Sequence, residues 1–217
     1  MPDSLFDSIT CGKAILSKIG IRLLLFIVNG TLVIPQLKVG HYDLLPKRFH
    51  TENNLLTRKL EVGDISIEMS NGNINNIGRS FYFDEEIKVQ LGKDVMCASF
   101  CKMLRPKTIE YSYIINAHLK YIYTNNQMLA YKSQAANGIN NFRFEDMIRE
   151  EIIPLPSDNY LKQLIQKLTV NYQVISNLRK QIYLLKKSRD ILHPRLMTGM
   201  IDIDKIKLPS IDTTETK

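Results

Sequence analysis

The chain has no tryptophan and only three cysteines, and its 217 residues include just ten glycines and eight prolines. Three cysteines cannot build a disulfide framework, which excludes a small secreted scaffold and makes the reducing cytoplasm the simpler setting. Cys97 and Cys101 are four apart and would share a face of a helix. No second Cys or His pair stands at zinc-site spacing, so no metal is expected. Long apolar runs are missing as well. The block at 19–28 is interrupted by Arg22, and its unbroken part, 23–28, is far too short to cross a bilayer. Asp3 and Asp7 precede it and no small-residue cleavage site follows, so it does not read as a signal peptide. It reads instead as a buried strand or helix of a soluble domain, or as the exposed cut edge of a longer ancestral protein. No membrane partner is expected.

Catalytic signatures are equally scarce. There is no G-x-x-x-x-G-K-[ST] loop to cradle a triphosphate, no H-E-x-x-H, no G-x-S-x-G, and no Asn/Asp-Pro-Pro-Tyr tetrapeptide. One nuclease-like set exists: Asp64 followed by Glu86-Ile87-Lys88, an acid and then E-x-K. With 24% charged residues such triplets arise readily by chance, and Asp64 after Gly63 also reads as an ordinary turn. The expectation is a non-enzymatic protein without a cofactor.

What the chain does have is positive charge and one long heptad pattern. Its net charge of +7 favours an anionic partner, and 44% apolar residues suffice for a core. From 157 to 192, Leu161, Leu164, Leu168, Asn171, Ile175, Leu178, Ile182, Leu185, Arg189 and Leu192 alternate three and four apart without a slip. That spacing is a coiled-coil seam and asks for a partner helix along its length. At about 1.5 Å per residue the helix would be about 50 Å long. Pro154 and Pro156 exclude helix before it, Ser157 is placed to cap it, and Pro194 should stop it near Leu192 or His193. Asn171 in the seam is either tolerated polarity or a device that fixes register. At its end Arg179, Lys180, Lys186, Lys187, Arg189 and Arg195 face one acid, Asp190, which suits phosphate or an acidic protein.

Ahead of that helix, 31–34, 65–69, 79–83 and 96–103 read as short strands, and 109–129 as an amphipathic helix bearing Tyr111, Ile114, Ile115, His118, Leu119, Ile122 and Tyr123. His118 falls on or beside the apolar stripe, as a core histidine would. Two polar loops interrupt the pattern. The first holds Ser70, Asn71, Asn73, Asn75, Asn76 and Arg79; the second holds Lys132, Ser133, Gln134, Asn137, Asn140 and Asn141. Asn and Gln amides can pair with adenine edges and Arg with guanine, whereas Asn is also simply a good turn former. Two such loops in one basic chain favour DNA.

At the junction Ile152-Ile153-Pro154-Leu155-Pro156 and in the segment Leu184-Leu185-Lys186-Lys187-Ser188-Arg189-Asp190-Ile191-Leu192-His193-Pro194-Arg195-Leu196-Met197-Thr198-Gly199, the chain resembles the DNA specificity subunit of type I restriction–modification systems. That family joins a target recognition domain through I-P-x-P to a long helix ending in K-x-x-R-x-x-L-x-P-x-L-x-x-G. Lys186, Arg189, Leu192, Pro194, Leu196 and Gly199 match that ending. Val62-Gly63-Asp64-Ile65 and Asn76-Ile77-Gly78-Arg79 are similar to its G-D-I and I-G-R stretches, and the resemblance covers about 31–203.

The resemblance implies an α+β fold: a mixed α/β target recognition domain of short strands at 31–155, then one long coiled-coil-forming spacer helix at 156–196. Residues 1–30 stay unassigned, with the recognition domain their expected home, and 197–217 form a polar tail. The resemblance further implies a reader of double-stranded DNA that docks a methyltransferase subunit, with a restriction subunit joining the complex. The family's full subunit has two recognition domains and two antiparallel helices; this chain matches half of it. Either two copies pair through the seam as a homodimer, or the chain is a fragment such as a silent recognition cassette. A coiled-coil adaptor that never touches DNA is the competing reading.

Overall fold

A computed structural model describes residues 6–10, 22–28, 37, 40–42, 45–134 and 138–201; for 6–10, 22–28 and 48–52 it describes the backbone alone. The expected strand at 31–34, Asn137 and the tail from 202 lie outside the described residues. The fold is mixed α+β, with small sheets followed by one long helix. In chain order the elements are β1 (Phe6–Thr10), β2 (Arg22–Val28), β3 (Lys47–Thr51), α1 (Glu52–Arg58), β4 (Ile65–Glu68), β5 (Ser70–Asn71), β6 (Ser80–Tyr82), α2 (Glu85–Leu91), β7 (Val95–Cys97), β8 (Cys101–Pro106), α3 (Ile109–Thr124), β9 (Lys132–Gln134), β10 (Asn140–Phe142), α4 (Phe144–Glu150) and α5 (Asp158–Met197).

An antiparallel sheet in the order β1-β8-β4-β6 divides two hydrophobic cores. Side chains alternate across a strand. On β6, Phe81 enters one core and Tyr82 the other; on β8, Met103 and Leu104 divide in the same way. The first core takes in Leu60, Phe83, Ile87 and Val95, and the second Ile65, Ile67, Ile115, Leu119, Ile122 and Phe142. The block at 22–28 is a strand, as one of its readings had it: β2 pairs antiparallel with β3 and parallel with β7. Caps fix the helix starts. The Asp84 carboxylate accepts from the Ile87 amide at 2.9 Å to begin α2, and the Thr108 hydroxyl accepts from the Tyr111 amide at 3.4 Å to begin α3.

Three sequence expectations need correction. The segment 96–103 is two strands in two different sheets, because the chain bends at 98–100 between β7 and β8. Cys97 and Cys101 consequently sit on successive strands, both buried and free, with the Ser66 hydroxyl 3.1 Å from the Cys97 sulfur. The helix expected to reach 129 ends at Thr124, because Asn126 takes a left-handed φ of 60° and a 3-10 turn, Gln127–Tyr131, follows. The long helix does not stop before Pro194 but runs on to Met197. Proline removes one amide donor and crowds the carbonyl four residues back, and so close to a C-terminus only one helical bond is forfeited. The Thr198 amide and hydroxyl both return to the Pro194 carbonyl, at 3.0 and 2.8 Å, and close the end.

With 40 residues, α5 is about 60 Å long at about 1.5 Å per residue. It lies along its own domain through Ile165, Thr169, Tyr172, Ser176, Arg179, Tyr183 and Lys186, each one residue beyond a seam position and all at least half-buried. Tyr172 stacks on Tyr113 with centroids 4.5 Å apart and packs against Tyr82 at 5.1 Å, and its hydroxyl accepts from the Asn116 amide at 2.6 Å. Arg179 is 8% exposed and its guanidinium is ion-paired with Asp84. Tyr183 meets Tyr42 edge-on at 5.1 Å. The helix therefore touches both cores, Tyr172 the second and Tyr183 the first.

Candidate nucleic-acid interface

The two polar loops, at 70–79 and 132–141, meet in one sheet. β10 lies between β5 and β9, antiparallel to both. Asn141 stands opposite Ser70 on one side and Ser133 on the other; the next row is Asn71, Asn140 and Gln134. Residues opposite each other share a face. The Ser70–Asn141–Ser133 row faces out, with Asn141 and Ser133 exposed and Ser70 partly so; in the other row Asn71 and Asn140 are buried.

The turn between β5 and β6 is built from its own amides. The Asn71 side-chain oxygen accepts from the Asn73 amide at 2.8 Å, and the Asn73 oxygen accepts from the Asn75 amide at 2.9 Å, opening a 3-10 turn at Ile74–Asn76. Ile77 is fully buried and plugs the loop into the second core. Gly78 follows at φ +81°, where a Cβ would come within 2.8 Å of the Met128 sulfur and 3.4 Å of the Phe142 ring. Only glycine fits that approach without strain. The tip is braced from below by α3 and β9. The Tyr123 hydroxyl donates to the Asn75 carbonyl, and the Lys132 ammonium donates to the Ile74 carbonyl at 3.0 Å while lying 5.5 Å over the Tyr123 ring. Burial lowers the pKa of Lys132, the cost of drawing a charge from water.

Apart from Lys132, which braces the Ile74 carbonyl from a half-buried position, the described sequence-predicted residues divide into two groups. Asn71, Asn140 and Arg79 are bound up in the fold. The Asn71 amide donates to Glu68 at 2.5 Å, the Asn140 amide donates to the Asn71 and Gly72 carbonyls at 3.3 and 3.0 Å, and Arg79 donates through Nε and Nη2 to Glu68 at 3.0 and 2.8 Å. Glu68 is fully buried, and a buried carboxylate requires such partners. The second group, Asn73, Asn75, Ser133, Gln134 and Asn141, is exposed, with Asn76 and Ser70 half-buried at its margin. These side chains can present amides and hydroxyls to a ligand.

The nuclease-like acid is otherwise engaged. Asp64 is buried and accepts from Arg105 at 2.9 and 2.7 Å and from the Glu61 amide at 2.7 Å. Glu86 lies on α2 and accepts from Gln90 at 2.7 Å. Among the described residues no group of three or more His, Cys, Asp or Glu side chains is placed to hold a metal ion. His118 is a half-buried structural residue: its Nε2 is 2.8 Å from the Glu151 carboxylate, which also accepts from the Tyr131 hydroxyl at 3.3 Å.

Along α5, Leu161, Leu164 and Leu168 are half-buried and Asn171 is exposed, while Ile175, Leu178, Ile182, Leu185 and Leu192 keep between 40% and 70% of their surface exposed. Apolar-pattern reading missed the stripe beside them, because its members at 165, 169, 172, 176, 179, 183 and 186 are mostly polar or aromatic. Their three-four spacing was the available signal. Among the described residues no helix is long and apolar enough to cross a membrane. Compared with known protein families and with curated proteins, the chain matches none.

Proposed function

We propose that this chain is a non-catalytic DNA-sequence reader of the type I specificity-subunit kind, acting in the cytoplasm. It reads one half of a bipartite double-stranded target and docks a methyltransferase subunit, with the restriction subunit joining through that complex. The observation that carries this reading is the meeting of the two polar loops in one sheet, with an outward row of Ser70, Asn141 and Ser133 beside the exposed amides of Asn73, Asn75 and Gln134. Such groups match base edges in a major groove, and Lys132 at the rim suits a phosphate. Arg79, held by Glu68, positions the loop instead of reading a base.

The seam supports a homodimer. Two antiparallel copies centred between Ile175 and Leu178 would set Leu161 against the partner's Leu192 and Leu168 against the partner's Leu185. That arrangement keeps the two basic helix ends apart, whereas a parallel pair would bring them together. It also gives two recognition domains a fixed separation, because Tyr172 and Arg179 bind each domain to its own helix.

Selection from a random duplex pool, with the chain alone and with a type I methyltransferase subunit, tests the reading. A two-part, palindromic consensus is expected. Asn73→Ala or Asn141→Ala should broaden it at defined positions, each lost pair being worth about 1–3 kcal/mol of discrimination. Lys132→Ala should weaken all duplexes alike and lower the salt slope by about one. Uniform losses from every substitution would undo the loop assignment. No enrichment of any sequence would leave the second reading, a coiled-coil adaptor, which the exposed seam and the basic helix end favour.

A further inference from the structure

The segment at 40–42 is pressed against the second half of α5 by a glycine. Gly40 has φ +72°, and a Cβ there would come within 3.0 Å of the Arg179 carbonyl. This approach brings His41 over the helix, where the Lys186 ammonium donates to its Nε2 at 2.7 Å. Between them opens a cleft of about 350 Å³ bounded by His41, Tyr183, Lys186, Lys187, Arg189 and Asp190. That is room enough for a small charged ligand. Three of those side chains are cations and one is a carboxylate, and Asp190 already accepts two bonds from Arg189, at 2.8 and 2.6 Å. The wall is therefore positive and rich in N–H donors. The negative end of the helix dipole does not oppose it, because α5 runs on to Met197 and that effect fades within the last turn.

The geometry points to a phosphate-binding cleft at this end of α5, in which His41, Lys186 and Lys187 hold a phosphoryl group. Two ammonium groups, with the Nδ1–H of an imidazole whose Nε2 accepts from Lys186, match the several acceptor oxygens of a phosphate better than the two of a carboxylate. The cleft is independent of the amide loops. Its phosphate comes either from a nucleic-acid backbone or from a soluble ligand, and the experiment separates the two.

The full chain is titrated with sodium pyrophosphate at constant ionic strength, followed by calorimetry, beside Lys187→Glu, Lys186→Met and a control, Lys162→Glu, at the far end of α5. Saturable binding at one site per chain is expected. Loss of one charge-assisted bond should weaken it by about tenfold or more in the first two variants, with Lys162→Glu unchanged and circular dichroism confirming that each is folded. A second arm measures a duplex of arbitrary sequence across a salt series. If Lys187→Glu lowers that salt slope by about one, the phosphate belongs to a nucleic-acid backbone. If duplex binding is unchanged while pyrophosphate binding falls, the ligand is soluble. Absence of saturable pyrophosphate binding, or losses as large in Lys162→Glu as in Lys187→Glu, would overturn the assignment.

Discussion

Two stripes run side by side along α5, one residue apart in register, and they have opposite fates. The stripe of Ile165, Thr169, Tyr172, Ser176, Arg179, Tyr183 and Lys186 is mostly polar or aromatic and turns to its own domain. The stripe of Ile175, Leu178, Ile182, Leu185 and Leu192 is aliphatic and stays open to solvent. A helix serving only its own domain would do the reverse, since apolar area is what burial rewards, at about 25 cal/mol per Å². Specific stacking and charge pairing hold the helix at one angle on its domain, and the non-directional hydrophobic surface stays exposed. The proposed homodimer would use that exposed surface, and the contrast between the stripes is what its tests must break.

The largest effect should come from the docked stripe. Asp84→Ala leaves the Arg179 guanidinium buried without its carboxylate and also removes the cap of α2. Destabilisation by about 3–5 kcal/mol is expected in chemical denaturation, as for other broken buried pairs. A loss below about 1 kcal/mol, the range of exposed pairs, would show that the helix is not anchored there.

A smaller loss should follow from alkali. Burial pushes the Tyr172 hydroxyl up from its ordinary 10 to about 12, and moves Tyr82 and Tyr42 further in the same direction. The folded protein thus holds these protons more tightly than the unfolded chain. The contribution of Tyr172 is complete below about pH 10 and is lost as the pH rises through about 12, and that of Tyr82 and Tyr42 continues to be lost above it. Stability measured from pH 8 to 12 should fall across that window. In Tyr172→Phe part of the fall should disappear, at the cost of about 1 kcal/mol for the lost bond with Asn116. An identical fall in the variant would mean that Tyr172 does not titrate in this way.

The open stripe should contribute least to the stability of a single chain. Leu178→Glu with Ile182→Glu should cost the monomer no more than about 0.5 kcal/mol per site, the usual range for exposed positions. If two copies pair there, the same double variant should abolish self-association in sedimentation. A large loss of monomer stability would show that the seam already packs within the chain and would erase the contrast between the stripes.

Local chemistry made much of this legible in the sequence. Periodicity revealed the long helix, the two prolines ahead of Ser157 marked its start although the Ser157 side chain makes no capping bond, and runs of β-branched and aromatic residues located β4 and β6. The helix end was misjudged because an unfavourable proline costs little where a final turn can close around it. The single run at 96–103 split because a bend, not a change in composition, separates β7 from β8. For the candidate site, the polar segments were visible but the division of labour within them was not. Asn71, Asn140 and Arg79 look like readers on paper, yet the buried Glu68 and the open carbonyls of the turn claim them.

By itself, then, the sequence determined what depends on neighbours along the chain: element types, caps, the heptad and the balance of charge. Those follow from backbone geometry and spacing. Only the tertiary structure decided which stripe of α5 its own domain covers, which amides remain exposed and where His41 meets Lys186. Each of these depends on groups far apart in sequence competing for the same hydrogen bonds and the same buried surface. No local pattern records the outcome of that competition.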